Sequence, residues 1–208
     1  MNKNNKLIDF ASATSGFGGK SKLITNERIN NNQIEILKVK SIGRYEIKEI
    51  LYFDFIDENI TGRTRDVYKL SYKPKVLLRK TGYPLIASID LTGYYPEQSL
   101  YFIYEINCSI SPFYMLALFN SKLINWIYLN ELVTNIDSTP QLKNSDLYKF
   151  PIATSKNQQP FIDKVDQILA LKQDNPEADT TTLEKEIDSM VYELYGLTEE
   201  EIKIVEES

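Results

Sequence analysis

From Ser111 onward apolar residues recur at helical spacing: Met115, Leu116, Leu118 and Phe119, then Leu123, Ile124, Trp126, Ile127 and Leu129, interrupted by the polar pair Asn120 and Ser121. Ser111 suits an N-cap and Pro112 the first helical position, where a proline leaves no amide hydrogen unpaired. The pattern predicts two short helices or one bent one. Upstream the period shortens to two. QIEILKVKSIG from Gln33 alternates around Ile34, Ile36 and Val39. YEIKEILYFDFI, KVLLRKTG, Pro84 to Leu91 and Leu100 to Ile106 are rich in β-branched and aromatic residues, with turn signals at Thr81-Gly82, Thr92-Gly93 and Pro96 between them. Long helices do not alternate with these strands, which argues against a doubly wound parallel sheet. The expectation is an α+β fold: a curved mixed or antiparallel sheet with packed helices, followed by a C-terminal helical hairpin.

The hairpin is read from the end of the chain. Pro160 opens a helix with Phe161, Val165 and Ile168 on one stripe, and DNPEAD breaks it. A second helix is expected from Thr181 to Tyr195, with Ile187, Met190, Val191 and Leu194 inward and Gly196 as its stop. Thr198 and Glu201 then have the spacing of a capping box for a last short helix. The first thirty residues are polar and glycine-bearing, and read as loop and connector. The resulting division is a flexible segment 1–32, an α+β domain 33–152 and a helical appendage 153–208.

Composition narrows the chemistry. The 208 residues contain no histidine, which removes the commonest general base and metal ligand. Cys108 is the only cysteine, so no intrachain disulfide forms, and its apolar surroundings suggest a buried thiol. No apolar run approaches the roughly 20 residues that span a bilayer, and the polar start MNKNNK lacks a signal peptide's hydrophobic region. A soluble, cytoplasmic protein is expected. The net charge of −5 is unevenly spread: residues 1–150 hold 19 basic against 15 acidic side chains, whereas residues 151–208 hold 5 against 14. The acidity sits in the tail, whose outer faces phosphate would repel.

Between positions 63 and 80 seven cations, Arg63, Arg65, Lys69, Lys73, Lys75, Arg79 and Lys80, face Asp66 alone, with Tyr68 and Tyr72 among them. Such a cluster can neutralise several phosphates and leave arginines to read guanine edges; an ordinary solvated strand face would show the same charges. Arg79 and Lys80 are consecutive, so they point to opposite sides of a strand. A second polar surface comprises Asn135, Asp137, Ser138, Thr139, Gln141, Lys143 and Asn144, whose donors and acceptors suit base edges as well as turns and caps. TSGFGGKS (14–21) approaches a phosphate-cradling loop but has Thr14 in place of the first glycine, and reads as a flexible glycine loop. Glu35, Glu46 and Lys48 loosely meet a magnesium-dependent nuclease pattern, which an edge strand with a solvated face explains equally well.

The order of parts from Leu116 onward resembles a known family. LALFNSKL (116–123), TPQLK (139–143) and DLYKFPI (146–152), with Phe150 where leucine is usual, are similar to the motifs of C-terminal target-recognition domains in type IIG restriction-modification enzymes. Related adenine-specific DNA methyltransferases share them, and type I specificity subunits do so distantly. The likeness extends to KPKVLLRKTGYPLIASID (73–90) and IDSMVYELYGLTEEEIKIVE (187–206). It implies sequence-specific recognition of double-stranded DNA beside methyltransferase or endonuclease domains, without catalytic residues in this chain; S-adenosylmethionine and Mg²⁺ would belong to the parent enzyme. It also moves the balance at both polar surfaces towards DNA contact. SPFY (111–114) resembles the adenine-methyltransferase motif S-P-P-Y, yet Phe113 replaces the second proline and a helix cap explains the segment better. Two other readings remain: a small nuclease using Glu35, Glu46 and Lys48, and a protein-interaction module working through the acidic hairpin.

Overall fold

The computed structural model describes residues 5–133 and 139–208. Its strands are β1 (Ser12–Ser15), β2 (Gly18–Gly19), β3 (Gln33–Leu37), β4 (Ile42–Gly43), β5 (Glu46–Ile47), β6 (Leu51–Asp54), β7 (Ile60–Gly62), β8 (Lys75–Arg79), β9 (Ala87–Asp90), β10 (Tyr95–Pro96) and β11 (Leu100–Tyr104). The helices are α1 (Val67–Ser71), α2 (Pro112–Asn120), α3 (Lys122–Ile127), α4 (Asn144–Leu147), α5 (Gln159–Asp174), α6 (Thr181–Tyr195) and α7 (Glu199–Glu206). Instead of one continuous curved sheet, the strands form a central antiparallel sheet of order β1-β11-β8-β9, a smaller sheet of order β10-β3-β6, and the pairs β2-β7 and β4-β5. The fold is α+β as expected.

The central sheet is buried on both faces, and side-chain alternation along its strands decides which core each residue joins. Val76, Leu78, Tyr101 and Ile103 pack with the apolar faces of α2, α3, α5 and α6, while Leu77, Leu100 and Phe102 pack with Phe17, Ile36, Leu51 and Phe53 of the smaller sheet. Three layers result: helices, central sheet, outer sheet.

Ser121 resolves the bend. Its side chain accepts from the amide of Ile124 and caps α3, just as Ser111 caps α2 by accepting from Phe113. Asn120 turns inward and bonds both backbone groups of Ala87, each at 3.0 Å, so a side chain stands in for a missing neighbour strand at the β9 edge. Asn125 does the same for the amide of Leu85 at 2.6 Å. The polar interruption in the helical pattern thus ties two helices to the sheet.

Two readings of the sequence are corrected. Residues 12–15 are not loop: they pair along their whole length with β11, and Gly18–Gly19 pairs with β7. Gly16 fits between them because a β-carbon there would lie 2.1 Å from the carbonyl oxygen of Pro96, so this glycine serves close backbone approach rather than flexibility or phosphate binding. The leading segment closes further on the family motif, since Leu7 donates to Phe150 at 3.0 Å and Ile152 donates to Asn5 at 2.9 Å. Cys108 is exposed, not buried, because it sits in the turn between β11 and α2. In the tail, α6 ends on Gly196 in the left-handed conformation and Thr198 with Glu201 forms the capping box of α7, as the spacing predicts. Among the described residues, no helix is long and apolar enough to cross a membrane.

Candidate nucleic-acid interface

The seven clustered cations separate in space. Lys75 is fully buried; it pairs with Asp90 across the β8-β9 ladder at 2.7 Å and donates to the carbonyl of Tyr72 at 2.9 Å. Asp90 in turn accepts from the amides of Thr92 and Gly93 at 2.8 and 3.0 Å. Burial pulls the Lys75 ammonium below the ordinary lysine range, although the Asp90 carboxylate opposes it. A cation enclosed in this way cannot touch DNA, and its place among the phosphate contacts is withdrawn. Arg79 is withdrawn as well: it is half-buried on the same side of β8, and its guanidinium donates to the carbonyl of Ile42 inside the fold. Lys73 is exposed but precedes the buried end of β8.

Of the remaining cations, Arg63 lines a cavity with Thr14 and Ser15 of β1, and Lys80 reaches Ser15 from the end of β8. Arg63 is exposed in the loop after β7; Arg65 beside it pairs with Asp57 at 2.8 Å, and Lys69 pairs with Asp66 at 3.4 Å. Exposed pairs of this kind are worth little, so phosphate can compete for both cations. Lys80 takes the side of β8 opposite to Arg79. It lies over the Tyr101 ring at 4.5 Å from the centroid and donates to the hydroxyl of Ser15. Burial, reinforced by Arg63, pushes the Lys80 ammonium down to about 8, against a raising effect of Glu97.

The second polar surface docks on this same end of β8. Leu142 donates to the carbonyl of Lys80 at 2.8 Å, Gly82 donates to the carbonyl of Pro140 at 2.9 Å, and Thr81 bridges Gln141. The Tyr101 hydroxyl donates to the carbonyl of Leu142 at 3.2 Å. Leu142 is buried, whereas Thr139, Gln141, Lys143 and Asn144 are exposed. Ser138, with Asn135 and Asp137, lies outside the described residues. A cavity of about 150 Å³ joins the two surfaces, lined by Thr14, Ser15, Arg63, Thr64, Tyr101 and Asn144. Thr14, Ser15, Thr64 and Tyr101 were missed in the sequence; the spacing of β1 and β11 carries no sign that the strands pair.

The DLYKFPI motif explains why this edge is stable. Leu147, Phe150 and Ile152 are buried, and the Tyr148 hydroxyl donates to the carbonyl of Ala13 at 2.6 Å while accepting from the Ala13 amide at 2.9 Å. Tyr148 therefore satisfies both backbone groups of Ala13 on β1, part of what would otherwise be a free edge. Residues 34–152, more than half of the chain, match the model of the TaqI-like C-terminal specificity domain.

The chain belongs to the TaqI-like C-terminal specificity domain family.

No curated protein matches it in sequence. Among solved structures, the DNA complex of the type IIL restriction-modification enzyme MmeI matches this specificity domain with a TM-score of 0.66 at 9% identity, covering 93% of this chain and 34% of the other. A type I restriction-modification assembly matches with a TM-score of 0.51 at 14% identity, covering 92% and 45%. The likeness is one of fold, and the chain spans less than half the length of either.

The other candidate chemistries fare differently. Tyr114 of SPFY is fully buried and donates to the carbonyl of Ala153 at 2.8 Å, so it is not placed to stack on a base. Glu35 faces Arg28 at 3.4 Å on the outer sheet, and Glu46 faces Lys48 at 3.6 Å on the β4-β5 hairpin. The two carboxylates line separate pockets, and no cluster of three or more Cys, Asp or Glu suited to a metal occurs among the described residues.

Proposed function

We propose that the chain recognises a specific sequence in double-stranded DNA as the specificity part of a restriction-modification enzyme, working in the cytoplasm beside methyltransferase or endonuclease domains. One observation carries this reading: Arg63, Lys80 and the 139–144 segment, distant in sequence, meet at one end of the central sheet beside Ser15 and Tyr101. Arg65, Lys69 and Lys143 supply the phosphate contacts, and Arg63, Thr139, Gln141 and Asn144 present hydrogen-bonding groups to the bases. The MmeI structure, with its bound DNA, supports the reading through shared fold. Catalysis, with S-adenosylmethionine and Mg²⁺, belongs in this reading to the parent enzyme's other domains. The acidic tail then sets the domain's position against them from a base fixed on this chain's own body, where α5 packs on α2 and Lys122 and Arg44 pair with Glu206 and Glu184 of the tail.

Duplex binding measured by fluorescence anisotropy at about 50 and about 200 mM salt tests the proposal. Affinity should fall at least tenfold between the two, because each phosphate contact contributes a slope of about −0.9 in log affinity against log salt. An affinity that does not respond to salt, or no binding at the lower salt, overturns it and favours a protein-interaction role for the tail.

A further inference from the structure

We propose that the cavity on the β1 edge is a base-reading notch whose Arg63 takes the O6/N7 edge of a guanine, with Lys80 beneath it as a positioning residue. This rests on the DNA-recognition reading above. Every residue lining the notch has a side chain that can hydrogen-bond, and they come from β1, the loop after β7, β11 and the start of α4. That convergence distinguishes it from Arg65 and Lys69, each of which stands beside a carboxylate. Arg63 is also one of the few non-glycine residues in the left-handed region, with φ of 66°. A residue with a β-carbon is strained there, and such strain concentrates where a side chain must be aimed.

The chemistry of the lining sets the ligand. A guanidinium offers paired donors and no acceptor, which matches the two adjacent acceptors of guanine in the major groove better than any other base edge. Asn144, also in the lining, can both donate and accept and so answers the neighbouring position. Lys80 is not placed as a phosphate contact: its partners are a ring and a hydroxyl of the notch itself. It fixes Tyr101 and Ser15 and adds positive potential under the floor.

Selection of bound sequences from a randomised duplex pool tests this, using the 208-residue chain, Arg63→Ala, Arg63→Gly and the control Lys73→Ala. The glycine variant relieves the left-handed strain while removing the side chain, so loss of folding cannot be mistaken for loss of reading. The wild-type chain should select at least one fixed guanine, and both Arg63 variants should lose roughly ten- to hundredfold of the discrimination at that position alone. Lys73→Ala should retain the selected sequence. Retention of the guanine by both Arg63 variants, or a wild-type consensus without one, overturns the notch while leaving DNA recognition intact. Failure of the wild-type chain to bind any duplex at low salt overturns DNA recognition itself.

Discussion

The two ends of β8 carry lysines five residues apart, and the fold treats them in opposite ways. At one end Lys75 is sealed inside the sheet, matched to Asp90 at 2.7 Å and to a backbone carbonyl. At the other end Lys80 rests on an aromatic ring and a hydroxyl, with Arg63 beside it and a notch opening above. A buried charge matched to a counter-charge and a backbone carbonyl is part of the architecture. A half-buried charge held by a ring and a hydroxyl, with Glu97 only partly offsetting its burial, retains an attraction for an anion. Sequence clustering of cations therefore does not mark an interface; the pairing of each cation does.

Removing the partner at the closed end breaks this contrast most strongly. Asp90→Ala leaves Lys75 buried without its counter-charge and strips the amides of Thr92 and Gly93 of their acceptor. The expected loss is about 3–5 kcal/mol, read as a lower midpoint in urea denaturation. The double variant Lys75→Met with Asp90→Leu should recover much of it, because it removes both charges together. Recovery in the double variant with a large loss in the single one would show that the pair is structural.

Asp188 on α6 offers an intermediate case, a buried carboxylate answered mainly by the backbone amide of Lys122 at 2.8 Å. Burial raises it from 3.8 to about 6, while the Lys122 amide and Arg44 pull it down. An acid whose folded value lies above its unfolded one holds its proton more tightly when folded. Stability from this group is therefore present below about pH 4 and lost as pH rises to about 6. Asp188→Asn keeps an acceptor for the amide and removes the charge. The variant should exceed the wild-type chain in stability at pH 7 by at most about 3 kcal/mol, with the difference vanishing near pH 4. Urea denaturation at the two pH values checks this; an equal difference at both would show that burial does not penalise the Asp188 charge.

Much of the scaffold was legible in the sequence, because caps and periodicity act locally. Ser111, Pro112, Gly196 and the Thr198–Glu201 box each set a helix end from chemistry within one turn. The sheet was less legible. β1 has too few apolar residues to announce itself, and it exists because β11 and Tyr148 bond to it from 86 to 135 residues away in the chain. The same non-local pairing hid the interface: Arg63 and Asn144 were recognisable as polar candidates, but Thr14, Ser15 and Tyr101 joined them only once β1 lay against β11. Lys75 misled because its answering charge, Asp90, lies in a separate predicted strand, Pro84 to Leu91, and only the β8-β9 register places it opposite.

The open end of β8 should respond to pH in a manner the closed end cannot. In the free chain Lys80 is lowered to about 8, chiefly by burial and then by Arg63, with Glu97 acting in the opposite direction. Duplex phosphates favour the charged form, so above pH 8 the complex must take up a proton that the free chain has released. Affinity should hold between pH 6.5 and 7.5, then fall by up to about tenfold per pH unit above pH 8, one proton's worth of linkage. The fold itself moves the other way: a base with a lowered folded value is less costly to bury once neutral, so this group's contribution to stability rises from about pH 8 towards 10.5. Weaker binding at pH 9 with unchanged or greater resistance to urea would thus separate titration at the interface from unfolding. Lys80→Met should bind with an affinity that no longer bends near pH 8, and a bend that persists in that variant would assign the proton to another group.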